Sequence, residues 1–539
     1  MTPRTTSALL LVSTALALLP APGTHRGVRL RATTTTTTTT LDSATKPLTN
    51  GKTAPPPQQP LALQRLSSLK EKTVWTEFGA IAASLGADAA NLGQGYPDWA
   101  PPSFAIEAAR AVCDETRAPL HQYARSAGLP ALCDVLARRY SQHFGRDVDS
   151  VSEIAVCVGA TQALLVSLMA SIQNPGDRVV VLEPCFDLYF GQIRLAGGVP
   201  VTCPMRFAED SSFSVDFDAL RRCLAEGARV LIVNSPQNPT GKVFSGAELR
   251  HIADLVAEEN RLRQKERRQS VVVISDEVYK YIVLDNDASH EHFARFLPDS
   301  TLTVSSAGKT FSATGWQIGW IVGPSPLVSH AHRLLPYLQF CASTPMQAAL
   351  AVALDRAEDP YRGFSSYYHW LRDEYTRKRL LLVQALSEAG LRPLRTAGGF
   401  FVLADVQDYA SLVPSKHFAG DVSLDWAFCR WLALDFGVVA IPASPFFGPP
   451  KKAPPSYPRG RIDADDDDAL LLDLDEDSAE EGALALSSRL VRFAFCKSDA
   501  VLHDAAARLR SLPLASSSSS GAVTSSSSQE EEEALATSE

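Results

Sequence analysis

Five short runs of apolar and β-branched residues alternate with stretches of helical pattern in the middle of this chain. The runs cover residues 154–158, 178–182, 229–234, 271–275 and 301–304. Such runs, separated by helices, are typical of parallel strands buried on both faces of a sheet. The sequence therefore predicts an α/β fold with a mostly parallel sheet between helices. Ligands of such folds bind beyond the carboxyl ends of the strands, so the residues that follow each run are site candidates.

The pattern changes beyond about residue 336. Long helical stretches such as 367–389 are followed by strand candidates at 400–406, 438–441 and 490–495, which indicates a second, smaller α+β domain. The predicted organisation is a leader over 1–45, a linker over 46–60, an N-terminal arm with part of the small domain over 61–100, a large domain over 101–335, the small domain over 336–515, and a disordered tail over 516–539. Helical spacing predicts one helix over 61–85.

The leader combines two signals. An apolar run over 8–19 is too short to span a bilayer, and basic and threonine-rich sequence follows it over 26–40. This combination predicts a two-part plastid address, with the mitochondrion or the cytoplasm as alternatives. Nine cysteines without a CxxC pair indicate reduced thiols.

Acidic residues are concentrated in two segments of the 539-residue chain, eleven of them in 463–481 and five in 516–539. The first segment lies in a predicted insertion over 448–488. Asp463, Asp465 and Asp467 do not form a calcium loop, because Asp468 stands where that loop needs glycine and Leu474 where it needs glutamate. The rest of the chain is only modestly basic, so neither a nucleic acid nor a membrane is predicted as a partner, and no metal site is predicted.

A single lysine, Lys309, follows the fifth apolar run within TLTVSSAGKTFSATGWQIGW. Small and apolar neighbours allow close approach of a ligand and lower the pKa of a lysine, which favours Schiff-base formation and general-base catalysis. A phosphate-binding loop of the Walker type is excluded, because Thr303 stands where its first glycine is required. An ordinary surface lysine is the alternative that this stretch leaves open.

Polar or aromatic residues follow the other four runs. Asp276 and Tyr279 suit the ring nitrogen and phenolate oxygen of a pyridine cofactor, and a rigid turn presents the Asn238 amide. Residues 159–162 open a helix whose amides can hold a phosphate, and Phe186 can stack on a flat ring. Each residue alone has a structural explanation, such as a helix cap or a core position. Their joint occurrence matches the requirements of pyridoxal phosphate (PLP).

The sequence resembles fold-type I, class I and II aminotransferases. It is most similar to the branch of kynurenine aminotransferases, glutamine transaminase K and cysteine-S-conjugate β-lyases. The motifs that match this branch are NLGQGYPDW, HQYARSAGLPAL, SPQNPTGKVF, ISDEVYKY, SSAGKTFSATGWQIGW, GVVAIPASPFF and VRFAFCK. The similarity covers roughly residues 61–513 apart from the acidic insertion, and it implies that the large domain binds PLP.

The resemblance also implies roles for individual residues. Lys309 would form the Schiff base with PLP, with Asp276 on the ring nitrogen, Tyr279 and Asn238 on the ring oxygen and Phe186 on the ring face. The phosphate would be held by Ala160, Thr161, Ser306 and, from a second subunit, Tyr123, which implies a homodimer. The substrate side would be formed by Arg492, which binds the carboxylate, together with Asn238, Gly95 and Trp75.

Two positions depart from the family pattern. Gln317 stands eight residues beyond Lys309, where the family has an arginine or lysine for the phosphate, and Cys185 replaces an aromatic residue before Phe186. The implied reaction moves an amino group from an aromatic or sulfur-containing amino acid, of the kynurenine, phenylalanine, methionine or glutamine type, to a 2-oxo acid. β-Elimination from cysteine S-conjugates and a non-catalytic protein on the same fold are the alternatives.

Overall fold

The computed structural model describes residues 73–208, 210–448 and 485–513. All of them belong to one compact unit, Pro60–Glu539. The predicted leader, the linker, the tail, most of the insertion with its excluded calcium loop, and residues 61–72 of the first predicted helix lie outside the described residues. The division of 61–515 into a large and a small domain stays a prediction.

The described ranges contain thirteen α-helices. They are α1 (Val74–Leu85), α2 (Ser103–Val112), α3 (Pro130–Phe144), α4 (Gly159–Ser171), α5 (Leu188–Leu195), α6 (Phe217–Ala225), α7 (Gly246–Lys265), α8 (Ala307–Thr310), α9 (Ser325–Leu338), α10 (Thr344–Arg356), α11 (Tyr367–Glu388), α12 (Leu424–Phe436) and α13 (Asp499–Leu509). Local sequence signals fix several of their ends. For example, Ser245 and Glu248 form a reciprocal capping box at the start of α7.

The strands form two larger and two smaller sheets. They are β1 (Ala90–Asn91), β2 (Ile154–Val158), β3 (Arg178–Glu183), β4 (Val199–Pro204), β5 (Arg206–Phe207), β6 (Phe213–Ser214), β7 (Ala228–Asn234), β8 (Val272–Asp276), β9 (Thr301–Ser306), β10 (Ile318–Val322), β11 (Arg392–Pro393), β12 (Phe401–Asp405), β13 (Val438–Val439), β14 (Ile441–Pro442) and β15 (Leu490–Ala494).

The central sheet has seven strands in the order β2-β10-β9-β8-β7-β3-β4. The other strand pairs are parallel, and β10 runs antiparallel to both of its neighbours. The prediction of a mostly parallel sheet between helices is therefore confirmed. The sequence analysis did not predict β4 or β10. β10 follows β9 after a short turn region, too short for the crossover that a parallel neighbour requires.

Strand register brings the polar strand ends together. Asn234, the last residue of β7, lies beside Asp276, the last residue of β8, and Asp276 lies beside Val304 of β9. Strands β7, β8 and β9 are buried along their whole length. The side chains at and just beyond their carboxyl ends therefore meet at one edge of the sheet, as expected for a ligand site.

A four-stranded antiparallel sheet, in the order β11-β12-β15-β14, forms the second layer of the fold. Arg492 in β15 lies opposite Leu403 of β12 and Ile441 of β14. The prediction of a single strand over 438–441 is wrong, because the chain divides at Ala440 into two short strands with different partners. β13 pairs in parallel with β1, and β14 pairs with β15.

Within the described ranges, no helix is both long and apolar enough to cross a bilayer.

Candidate active site

Lys309 lies in α8, directly after β9, at the same sheet edge as Asp276. Its Nζ donates a hydrogen bond to the carbonyl of Gly95 at 2.8 Å and lies 5.5 Å from the centre of the Phe400 ring. Burial lowers the pKa of Lys309 to about 8. A Cβ at position 95 would lie 2.6 Å from the Phe401 ring, so only glycine fits at this position. The structure thus places two predicted site residues, Lys309 and Gly95, in direct contact.

Asp276 is buried at the end of β8. Its Oδ2 accepts a hydrogen bond from the Tyr189 hydroxyl at 2.7 Å, and Oδ1 accepts one from the Val278 amide at 3.3 Å. Burial raises the pKa of Asp276 to about 6, while these donors oppose the rise. A carboxylate in this state gains most from a cationic partner. The sequence analysis missed Tyr189, although its position one helical turn after Phe186 was a usable signal.

Asn238 is presented by the turn after β7. Its backbone amide donates to Asn234 Oδ1 at 2.9 Å, and Asn234 Nδ2 donates to the Asp276 carbonyl at 2.9 Å. The missed residue Asn234 therefore orders the turn relative to β8. Asn238 Oδ1 in turn accepts a hydrogen bond from Arg492 Nη1 at 3.1 Å.

Arg492 is a fully buried cation held among aromatic rings. Its Nη2 donates to the Gly93 carbonyl at 3.0 Å, and its Nε is buried and has no hydrogen-bond partner among the described residues. Burial lowers the pKa of Arg492 to about 10. Its guanidinium carbon lies 4.1, 4.9 and 5.1 Å from the ring centres of Phe401, Phe446 and Trp75, respectively. A buried guanidinium that lacks a paired carboxylate is suited to receive one from a ligand.

The N-terminus of α4 lies against β10 and the end of β9. Gly319 pairs with Ser306, and a Cβ at position 319 would lie 2.4 Å from the Gly159 carbonyl carbon and 2.6 Å from the Ala160 nitrogen. Glycine at position 319 therefore allows Ser306, Ala160 and Thr161 to come together. This cradle of a helix N-terminus and a hydroxyl matches the needs of a phosphate.

The remaining residues that the sequence analysis singled out differ in where they lie. Phe186, Tyr279 and Trp75 lie near the residues above: Phe186 contacts Tyr189, Tyr279 packs on Phe400 and Trp75 on Arg492. The thiol of Cys185 is buried, which raises its pKa. Tyr123 is different, because 79% of it is exposed and its ring packs on Phe340 at 4.7 Å.

Glu277, His290 and His292 form a buried group outside this site whose ligand atoms lie within 4.8 Å of one another. Glu277 Oε2 contacts His292 Nδ1 at 2.5 Å and His290 Nε2 at 3.3 Å, and Oε1 accepts from Ser275 at 2.9 Å. Because the carboxylate is already hydrogen-bonded, we interpret the group as the internal solvation of a buried glutamate.

Gln317 lies against the phosphate cradle with a left-handed backbone, φ 52°. Its Nε2 donates to the Thr314 carbonyl at 2.7 Å, and its Oε1 would lie 2.6 Å from a Cβ at Gly159. Gln317→Arg should tighten PLP binding to the apoenzyme by about tenfold, because an added cation would face the phosphate dianion. Spectrophotometric titration of the apoenzyme with PLP measures the dissociation constant. Gln317→Met is the neutral control of similar length, and an unchanged constant in Gln317→Arg would contradict the prediction.

The residues on this sheet edge fit PLP. Lys309 is a partly buried amine whose proton is easily lost, Asp276 is a buried carboxylate suited to a protonated ring nitrogen, and the start of α4 with Ser306 provides donors for a phosphate. Arg492, whose Nε has no hydrogen-bond partner among the described residues, provides the carboxylate-binding group of an amino acid site.

Comparison with known proteins agrees with this assignment. Residues 87–464 match the family model for aminotransferase class I and II. The chain is 34% identical over 402 residues to the kynurenine–oxoglutarate transaminase of Dictyostelium discoideum, covering 70% of this chain and 86% of that protein.

Two solved structures share the fold. The N-succinyldiaminopimelate aminotransferase of Mycobacterium tuberculosis is 33% identical, with a TM-score of 0.66 over 83% of this chain and 99% of that one. An Escherichia coli protein with a methionine aminotransferase function is 30% identical, with a TM-score of 0.65 over 83% and 98%. The chain therefore belongs to the class I and II aminotransferases and is a PLP-dependent enzyme that transfers amino groups between amino acids and 2-oxo acids.

Proposed function

We propose that the amino donors of this enzyme are aromatic and sulfur-containing amino acids and glutamine, of the kynurenine, phenylalanine and methionine type. The observation that carries this proposal is the environment of Arg492, a buried guanidinium surrounded by Phe401, Phe446 and Trp75. A substrate carboxylate bound to Arg492 brings its side chain among these rings. Apolar and aromatic side chains gain by such burial, whereas a second carboxylate would be desolvated without a matching cation.

The similarity to a kynurenine–oxoglutarate transaminase and to a methionine aminotransferase supports the same class of amino donor. The N-succinyldiaminopimelate aminotransferase that shares the fold is named for a different donor, which bears more than one carboxylate. The single buried guanidinium among the residues of this site favours the former class.

The site residues divide the work as follows. PLP, when bound, would supply an electron sink for the charge that develops at the substrate Cα. Asp276 would favour a proton on the ring nitrogen of the cofactor, and Tyr189 fixes the Asp276 carboxylate. Lys309 Nζ, once free, takes the proton from Cα, and its lowered pKa of about 8 keeps a useful fraction of the amine neutral near neutral pH. Arg492, whose Nη1 also donates to Asn238 Oδ1, would bind the substrate carboxylate and so limit how the Cα–H bond is presented to Lys309.

The proposal is tested with the purified full chain, PLP and 2-oxobutanoate as a neutral acceptor. We expect phenylalanine, methionine, kynurenine and glutamine to give higher kcat/KM than aspartate by at least about tenfold, because the second carboxylate of aspartate would lack a cationic partner. Chromatography of the oxo acid products gives the rates. Equal or better use of aspartate or of N-succinyldiaminopimelate would contradict the proposed donor class.

A second assay with the same purified chain separates transamination from β-elimination. An S-aryl cysteine incubated without any oxo acid acceptor releases pyruvate only if the bond to sulfur is broken. Slow pyruvate release beside rapid acceptor-dependent oxo acid formation supports the proposed transaminase, whereas the opposite ratio favours the β-lyase.

We also propose that the enzyme is a homodimer. Tyr123, Tyr337 and Phe340 are 79%, 91% and 57% exposed and create an aromatic surface. Gln339, within this surface, bonds to both Val156 and Val158 at the end of β2, next to the phosphate cradle. Such an exposed aromatic surface marks an interaction site, and its position suits a Tyr123 that reaches the phosphate of a second subunit.

A further inference from the structure

Asp187 stands at the N-cap position of α5, but its side chain does not cap that helix. Instead Oδ2 accepts a hydrogen bond from the Trp75 indole Nε1 at 2.8 Å, across 112 residues of sequence. The other oxygen, Oδ1, is buried and makes no hydrogen bond of regular geometry with any residue that the structure describes. An aspartate at this position normally stabilises its own helix, so its use for a distant contact points to a different role.

Trp75 belongs to α1, which is attached to α12 at two further points. Glu77 pairs with Arg430 at 2.6 Å, and the Phe78 ring lies 5.6 Å from the Trp426 ring. The indole of Trp75 reaches from α1 to the segment after β3, where Asp187 follows Phe186. The hydrogen bond thus ties an aromatic side chain of α1 to the segment that holds the predicted ring-stacking residue.

The held indole lies beside the carboxylate-binding group. The guanidinium carbon of Arg492 is over the Trp75 ring at 5.1 Å from its centre. With the N–H edge fixed by Asp187, the ring keeps one face towards Arg492. A ligand whose carboxylate binds Arg492 then meets the same indole surface each time, at little conformational cost.

We propose that Asp187 is a positioning residue that determines side-chain specificity, because it holds Trp75 as a wall for aromatic and large apolar substrates. The inference rests on the proposed function, since it assumes that the carboxylate binds at Arg492 and the side chain near Trp75. Asp187 acts through the indole and takes no part in proton transfer.

The charge of Asp187 also affects ligand binding at Arg492, and the experiment must separate this effect from the positioning of Trp75. This charge and that of Arg492 act on each other, so the loss of the carboxylate changes the affinity for any anionic ligand. Two inert carboxylates, 3-phenylpropionate and propionate, share this effect and differ in the phenyl ring. The ratio of their dissociation constants therefore reports contact with the wall alone.

Both constants are measured on the holoenzyme from the change in cofactor absorbance on titration. Asp187→Ala should reduce the preference for 3-phenylpropionate by about tenfold, the lower range for a hydrogen bond to a charged acceptor. Asp187→Asn retains an acceptor for the indole and should keep the preference within about threefold of wild type. Trp75→Phe should reduce the preference by itself, and Asp187→Ala should change nothing further in that background.

The outcomes separate the two proposals. A wild-type enzyme without preference for 3-phenylpropionate overturns the aromatic donor class and the wall together. A wild-type preference that survives Asp187→Ala, in protein with an unchanged melting temperature, overturns only the role of Asp187. Fully additive effects of Trp75→Phe and Asp187→Ala would likewise show that the aspartate does not act through the indole.

Discussion

Lys309→Ala is expected to lower the rate of amino transfer by at least about 10²–10⁴-fold, the contribution of a positioned general base alone. Lys309 is the lysine whose Nζ lies beside Gly95 at the edge where Asp276 ends β8. Burial lowers its pKa to about 8, so the amine can lose its proton and accept another from the substrate. Stopped-flow absorbance of the bound cofactor after mixing with phenylalanine measures this step.

Two variants make the result specific. Lys309→Arg keeps a cation that stays protonated, and it should be as slow as Lys309→Ala. Lys378→Met is the matched control, because Lys378 is a buried lysine that binds Asp499 at 2.6 Å and Glu374 at 3.2 Å. Its turnover should stay close to wild type in folded protein. Turnover by Lys309→Ala within tenfold of wild type would exclude Lys309 as the base.

Partial rescue of Lys309→Ala by small primary amines in solution is a further expected result. An amine that enters the space left by the side chain can move the proton, and its effect should increase with its basicity. A structural role for Lys309 would predict no such dependence.

The sequence predicted those parts of the site that depend on strand ends. Lys309 and Asp276 follow apolar runs directly, and parallel strands place their carboxyl ends at one edge, so local pattern sufficed. Arg492 came from resemblance, since a strand arginine by itself has many explanations. Its burial among rings and its contact with Gly93, 399 residues earlier in the chain, are tertiary facts that no local pattern contains.

The residues that the sequence analysis missed also depend on contacts between distant parts of the chain. Tyr189 supports Asp276 from 87 residues away, and Asp187 binds Trp75 across 112 residues. Aspartate and tyrosine next to Phe186 suit a helix start and a core position equally well, so the sequence left their partners open. β10 was missed although residues 318–322 form an apolar run, because that run overlaps the stretch assigned to the surroundings of Lys309, and its antiparallel pairing with β9 is a tertiary fact.

Arg492→Ala is expected to lower kcat/KM for phenylalanine by about 10²–10⁴-fold. A carboxylate on a guanidinium makes two charge-assisted hydrogen bonds, each worth about 1.5–3 kcal/mol, and each 1.4 kcal/mol is about tenfold. Arg492→Lys keeps the charge but loses the planar fork, so at least about tenfold of the loss should remain. Steady-state kinetics with phenylalanine and 2-oxobutanoate give both values.

Arg489→Lys is the matched control for this series. Arg489 lies just before β15 and pairs with Asp405 at 3.2 Å, and it is not among the residues that contact the rings around Arg492. Its replacement should leave kcat/KM within about twofold of wild type, because an ion pair at a partly exposed site contributes little. Equal kinetics of Arg492→Lys and wild type would mean that the substrate carboxylate binds elsewhere.

The stability of Arg492→Met distinguishes a binding residue from a structural one. Among the described residues, the buried guanidinium has a nitrogen without a hydrogen-bond partner and no paired carboxylate, so its desolvation opposes folding. Methionine fills much of the same space among Phe401, Phe446 and Trp75 without that cost. We therefore expect a melting temperature near that of the wild type together with a large loss of kcat/KM. A steep fall in melting temperature would show instead that the hydrogen bonds from Arg492 to Asn238 and Gly93 hold the cleft together, and that the kinetic loss reflects a damaged fold.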